Sequence, residues 1–177
     1  MSRAGRVMAS TAQSVSLDDY LKSDYEPDAE YVDGQIEERP MGENDHSAWQ
    51  LAICAWFLKH CQQWGILVRP ELRIQVGAAR FRVPDVTILD RSRPVEQIVT
   101  HPPLAVFEII SPEDTMRRML RKLADYDAMG IPEIWVVDPE TRTFSRYSDG
   151  ALLRRSEFSL NSKSIAFSTK EIESLLD

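Results

Sequence analysis

Cysteine is nearly absent from this 177-residue chain, with Cys54 and Cys61 the only two. They lie seven apart in a helical pattern, so their Cα atoms sit roughly 10 Å apart, too far for a disulfide. A disulfide scaffold is excluded, and the chain reads as a protein of a reducing compartment, with a cytoplasmic location expected. Glycine is scarce too, at seven residues against ten prolines, which excludes collagen-like and glycine-rich low complexity. No apolar run approaches the ~20 residues of a membrane span. Several catalytic signatures are missing: there is no HExxH, no paired Cys-x-x-Cys, no Gly-x-Ser-x-Gly and no phosphate-binding Walker loop. The three histidines, His46, His60 and His101, lack zinc spacing. Hydride transfer, zinc hydrolysis, serine hydrolysis and P-loop phosphotransfer all lose weight. With 43% hydrophobic and 28% charged residues, what remains is enough apolar material for one folded domain.

The net charge of −7 is concentrated. Residues 17–45 hold eleven acids and two bases, a balance of −9, while residues 1–16 contribute +2 and the rest sums to zero. Strong non-specific binding to nucleic acid is disfavoured, but a local basic groove is not. Residues 1–15 are small and polar and read as a disordered lead, with residues 16–177 forming a single domain. Ser16 starts a cap signature, Ser16-Leu17-Asp18-Asp19. Residues 28–37 read as a hairpin turning at Asp33-Gly34. Asn44 or Asp45 caps a helix in which Trp49, Ile53, Trp56 and Phe57 recur at helical spacing, and Gly65 ends it. Strands are expected at 66–69, 71–76 and 82–89, then a loop over 90–103. LAVFEII, residues 104–110, has the continuous apolar pattern of a central strand buried on both faces. Ser111 and Pro112 suit the start of a helix that Gly130 stops. IWVV at 134–137 is a second buried strand, joined to the first by a parallel crossover. Weaker strands near 143–147 and 152–158 and a short helix near 169–176 complete a mixed α/β (α+β) arrangement.

The most informative residues are acids inside apolar strands. Glu108 interrupts LAVFEII, and Asp85 interrupts RVPDVTIL. A carboxylate is costly to bury unless a cation or strong donors hold it. If the two strands are neighbours, both acids point at one position, and paired carboxylates with oxygen-only partners suit Mg²⁺ or Mn²⁺. The helix after Glu108 carries Arg117, Arg118, Arg121 and Lys122, then Tyr126 four residues after Lys122.

Taken together, these segments resemble a known family. Pro84-Asp85, a loop and strand to Glu108, and a later lysine resemble the PD-(D/E)XK nucleases of restriction-endonuclease-like fold. AEYVDGQIEE, Asp45-His46, RVPDVTIL, PPLAVFEIISP and RKLADYDAMGIPEIWVVDP more specifically resemble the Uma-two family of endonucleases, over about residues 16–150. The resemblance implies a mixed central sheet flanked by helices, with a small C-terminal β extension. It implies Asp85 and Glu108 as metal-binding carboxylates, with the backbone carbonyl of Ile109 as a further ligand. It also implies catalytic roles for Glu30 and His46. The usual lysine two residues after the glutamate is replaced by Ile110, and Lys122 matches the position to which the family moves it. Arg121 points about 100° away around the helix and is a poorer candidate. The implied activity is Mg²⁺- or Mn²⁺-dependent hydrolysis of DNA, its backbone tracked by Arg69, Arg73, Arg80, Arg82, Arg117, Arg118 and Arg121. An inactive descendant serving as a binding or assembly module, and a metal-dependent phosphodiesterase acting on RNA or a small substrate, are the alternatives. A homodimer is expected, because the 46–64 helix is apolar over more than one face and duplex cleavage favours two sites.

Overall fold

The computed structural model describes residues 14–25, 29–39 and 42–176. Most of the expected lead, residues 1–13, lies outside the described residues. Ser14 and Val15 belong to the fold, however: the Val15 amide donates to the Gly34 carbonyl, and its own carbonyl accepts from the Tyr31 hydroxyl.

The chain begins with α1 (Leu17–Lys22), capped by the Ser16 hydroxyl as its sequence requires. The hairpin β1 (Ala29–Val32) and β2 (Gln35–Glu38) follows, with Asp33 and Gly34 both at positive φ, the geometry a two-residue hairpin turn demands. Next come α2 (Asn44–Trp64), β3 (Ile66–Pro70), β4 (Ile74–Gly77), β5 (Arg80–Arg82), β6 (Val86–Asp90) and β7 (Ala105–Ile109). The chain continues as α3 (Met116–Met129), β8 (Glu133–Asp138), β9 (Thr143–Ser148), β10 (Ala151–Arg155), β11 (Glu157–Leu160), β12 (Ile165–Ser168) and α4 (Lys170–Glu173).

Six strands form the central sheet in the order β10-β9-β8-β7-β6-β3, and only β7 and β8 pair in parallel, through the α3 crossover. β2-β1-β5-β4 make a second, four-stranded sheet, and β11-β12 a separate hairpin. The period-two rule sorts the central strands. Ala105, Phe107 and Ile109 join the core beneath α2, with Ile88 and Val137, while Val106, Leu89, Ile134 and Val136 pack under α3 with Met119, Leu123 and Tyr126. Glu108 therefore shares the α3 face with Val106. A third cluster of Tyr20, Tyr31 and Phe81 joins α1 to the small sheet. No helix among the described residues is long and apolar enough to cross a membrane.

Several sequence expectations are corrected. RVPDVTIL is not one strand: β5 ends at Arg82, β6 begins at Val86, and the two belong to different sheets. Asp85 thus lies in the crossing between them, not within a strand. Glu71 adopts positive φ and donates its amide to the Asp85 carbonyl, which delays β4 to Ile74. The helix after Glu108 starts at Met116 under a Thr115 cap, because Ser111 and Asp114 close on each other as a turn. The N-cap of α2 is Glu43. Residues 152–158 split into β10 and β11, and β12 had no counterpart in the reading. That hairpin covers part of the apolar surface of α2 on which the dimer expectation rests, while Leu51 and Leu58 of the same helix stay exposed. Trp56 and Phe57 are covered within the chain by Phe167, and Phe57 also by Phe158.

Candidate active site

β6 and β7 run antiparallel with Val86 opposite Phe107. One more step in that register sets Asp85, just ahead of β6, across from Glu108 on β7. Both are buried, at 3% and 2% exposure. The Asp85 carboxylate accepts from the Ile109 amide at 2.7 Å on Oδ2, with His46 Nε2 3.2 Å from the same oxygen. An Arg39 guanidinium nitrogen lies 2.5 Å from Oδ1. Gln50 holds the backbone beneath it, donating to the Asp85 carbonyl.

Glu108 is held from α3. Lys122 and Tyr126, one helical turn apart, reach the same carboxylate: the ammonium at 2.9 Å from Oε2 and the hydroxyl at 2.5 Å from Oε1. Lys122 also lies 3.1 Å from Glu30 Oε1 and so bridges β1 to β7. Glu30, with no exposed surface, accepts from the Val83 amide and from Arg82. Arg82 in turn binds Asp125 of α3 through two nitrogens and Glu37 of β2 through a third.

Burial pushes the Glu108 carboxyl up to about 7; the Lys122 ammonium pulls against this, while Asp85 and Glu30 add to it. Burial also works against the charge on Asp85, but the His46 hydrogen bond and the Lys122 and Arg39 charges prevail and hold its pKa below the carboxylate range. Glu30 is lowered in the same way, burial being outweighed by Lys122 and Arg82. His46 is raised, since its bond to Asp85 overcomes desolvation, and Lys122 is raised because Glu108 and Glu30 outweigh its burial.

A cavity of about 20 Å³ lies among Arg39, His46, Asp85, Glu108, Ser111 and Lys122. That is room for one water-sized sphere, which a small divalent ion also matches. The donor set is carboxylate oxygen, with the backbone at Ile109 beside it, and is chemically suited to Mg²⁺ or Mn²⁺. Among the described residues no group of three or more His, Cys, Asp or Glu side chains is arranged as a metal cage. Outside the cavity, His46 and Ser111 also line an open pocket of about 230 Å³ with Glu43, Asp45, Asp138 and Glu140.

Asp85, Glu108, Lys122, Glu30 and His46 are thus brought into one linked cluster. Arg39 was missed by the sequence reading, and nothing in its local pattern marks it. Tyr126 was noticed only as a neighbour of Lys122, although its i+4 spacing was the available signal. The arginines divide. Arg82 is fully buried and tied to three acids, so it cannot follow a DNA backbone, which corrects that expectation. Arg80 is bound to Asp33 and Asp125, Arg118 to the Glu38 carbonyl, Arg121 to Glu37, and Arg73 lies over the Tyr20 ring. Arg69 and Arg117 are exposed.

Residues 17–169 match the Uma2 family, described as "Putative restriction endonuclease". Among solved structures, a "putative nuclease belonging to DUF820" from Anabaena variabilis ATCC 29413 has a TM-score of 0.78 at 23% identity, covering 92% of this chain and 99% of that one. That likeness is one of fold, a restriction-endonuclease-like α+β core. A cryo-electron-microscopy structure of a DrdV–DNA complex matches at a TM-score of 0.40 and 18% identity, over 73% of this chain and 11% of that one. No curated protein matches.

Proposed function

The chain belongs to the Uma2 family of restriction-endonuclease-like proteins, and we propose that it hydrolyses DNA phosphodiester bonds with a divalent metal ion held by Asp85, Glu108 and the Ile109 backbone carbonyl. The observation that carries this reading is the placement of Asp85 and Glu108 on adjoining chain segments, buried, beside an ion-sized cavity that a lysine also reaches. When bound, Mg²⁺ or Mn²⁺ supplies Lewis-acid polarisation of the phosphate and makes nearby water more acidic.

The chain's own groups do the rest. Lys122, kept charged between Glu30 and Glu108, orients the attacking water or neutralises the scissile phosphate. Tyr126 fixes the Glu108 carboxylate in one orientation, and His46 with the Ile109 amide fixes Asp85. Glu30 acts by anchoring the lysine, so it is a positioning residue. One carboxylate pair per chain cuts one strand, so nicking is the expected product of a single encounter.

One observation favours the inactive-module reading: each oxygen of Asp85 and Glu108 already faces a donor of the chain. A supercoiled-plasmid assay separates the two. Mn²⁺-dependent nicking, abolished by excess EDTA and brought to background by Asp85→Asn, is expected. Absence of nicking in Mg²⁺ and Mn²⁺ alike supports the module, and nicking in excess EDTA refutes the metal mechanism.

A further inference from the structure

Arg39 follows directly on β2 and sends its guanidinium into the cluster, where the side chain is only 10% exposed. One nitrogen is 2.5 Å from Asp85 Oδ1, and the other is 3.6 Å from Glu71 Oε1. It occupies one of the oxygens that a metal ion needs. Resting on the metal-nuclease reading above, we propose that Arg39 is the exchangeable counter-cation of Asp85. A divalent ion displaces it from Oδ1, and the released guanidinium then holds the scissile phosphate.

The argument starts from charge. Two carboxylates facing one small cavity already have Lys122 and Arg39 beside them, with His46 on the remaining oxygen of Asp85. Adding a doubly charged ion overfills the site with positive charge unless one cation withdraws. Lys122 is gripped by acids from two strands, Glu30 and Glu108. His46 is able to keep its hydrogen bond as a neutral ring. Arg39 has one short ionic contact in the site, and its second acid, Glu71, is half exposed and more distant. Arg39 is therefore the cation held least firmly.

Its chemistry also fits the second role. A guanidinium presents paired donors that match phosphate oxygens as well as carboxylate oxygens. The backbone anchor at the end of β2 keeps the group within side-chain reach of the cavity after it leaves Asp85. Glu71, on the exposed side, gives it a resting partner. Withdrawal of Arg39 would then have two results from one movement: Oδ1 of Asp85 would be open to an ion, and a phosphate-binding group would be presented.

Isothermal titration with Mn²⁺, without DNA, tests the exchange in wild type, Arg39→Met, Arg39→Lys and Asp85→Asn. Arg39→Met is expected to bind Mn²⁺ at least ~10-fold more tightly, the scale of one lost charge-assisted hydrogen bond. Arg39→Lys should bind no more tightly than wild type. Binding of a short DNA duplex in Ca²⁺ is expected to weaken in Arg39→Met, opposite in direction to the metal effect. Equal or weaker Mn²⁺ binding by Arg39→Met overturns the exchange, and unchanged duplex binding overturns the phosphate role. A crystal soaked in Mn²⁺ tests the wild type directly: the guanidinium still on Asp85 Oδ1 beside a bound ion refutes the proposal. Mn²⁺ binding that survives in Asp85→Asn defeats the metal-site reading itself, and so marks a different failure.

Discussion

Around Arg82, buried charges of both signs lock together: Glu30, Glu37 and Asp125 meet its nitrogens, and the guanidinium has no exposed surface. Around Asp85 and Glu108, reached through the shared residues Glu30 and Lys122, the charges are as dense but less settled. There a cavity remains, and one carboxyl is pushed up to about 7. Glu30 in the first cluster is held ionised, whereas Glu108 in the second is on the edge of protonation. Buried charge by itself therefore does not single out a candidate site. What sets the second cluster apart is a carboxyl that burial pushes upward beside a small cavity.

The comparison breaks most visibly at Arg82. Arg82→Met removes the buried cation that Glu30 and Asp125 share, leaving Glu30 to Lys122 and Asp125 to the part-exposed Arg80, and a loss of ~3–5 kcal/mol of stability is expected in urea denaturation. If the variant unfolds at the wild-type midpoint, the Arg82 cluster is not the structural half of the pair.

Glu108 gives the next largest effect, through pH. Its folded pKa of about 7 lies above its ordinary value of 4.5. The unfolded chain gives up that proton first, so the group's stabilising contribution is complete below about pH 4.5 and is lost as pH rises through about 7. Wild type should therefore lose about 3 kcal/mol relative to Glu108→Gln between pH 4 and pH 8. Asp85 and Glu30, with lowered pKa values, act in the opposite sense and are lost on acidification. Parallel stability profiles for wild type and Glu108→Gln would show that Glu108 is not perturbed.

Lys122 belongs to both clusters and sharpens the division between them. Lys122→Met is expected to lose at least ~100-fold in nicking rate, the range for removal of one transition-state donor. Arg121→Met, whose partner Glu37 lies in the Arg82 cluster, should lose far less. Similar losses in the two variants would remove Lys122 from the chemistry.

Much of this was legible in the chain. The caps at Ser16, Gly65 and Gly130 and the Asp33-Gly34 turn are local decisions, and the structure follows them. LAVFEII is an apolar run that suits a central strand, which makes Glu108 conspicuous. The errors arose where a decision was not local. Nothing in RVPDVTIL reports that two sheets divide it, because β-branched residues suit both strands and the crossing is set by tertiary partners. Arg82 looked like a surface cation, since the three acids that bury it come from β1, β2 and α3. Arg39 reaches Asp85 across 46 residues of sequence, and no periodicity encodes such a meeting.

The Val83–Asp85 crossing ties the two clusters mechanically. Three peptide links separate the residue that locks the small sheet from the residue that faces the cavity, and those links pass from one sheet to the other. Opening of the four-stranded sheet would move Arg82 and draw Asp85 with it. Catalytic competence should then follow the opening of that small sheet, reported by amide exchange over residues 29–32 and 80–82, ahead of the melting of the six-stranded one. On warming, the proposed nicking activity would be lost while most of the architecture still stood.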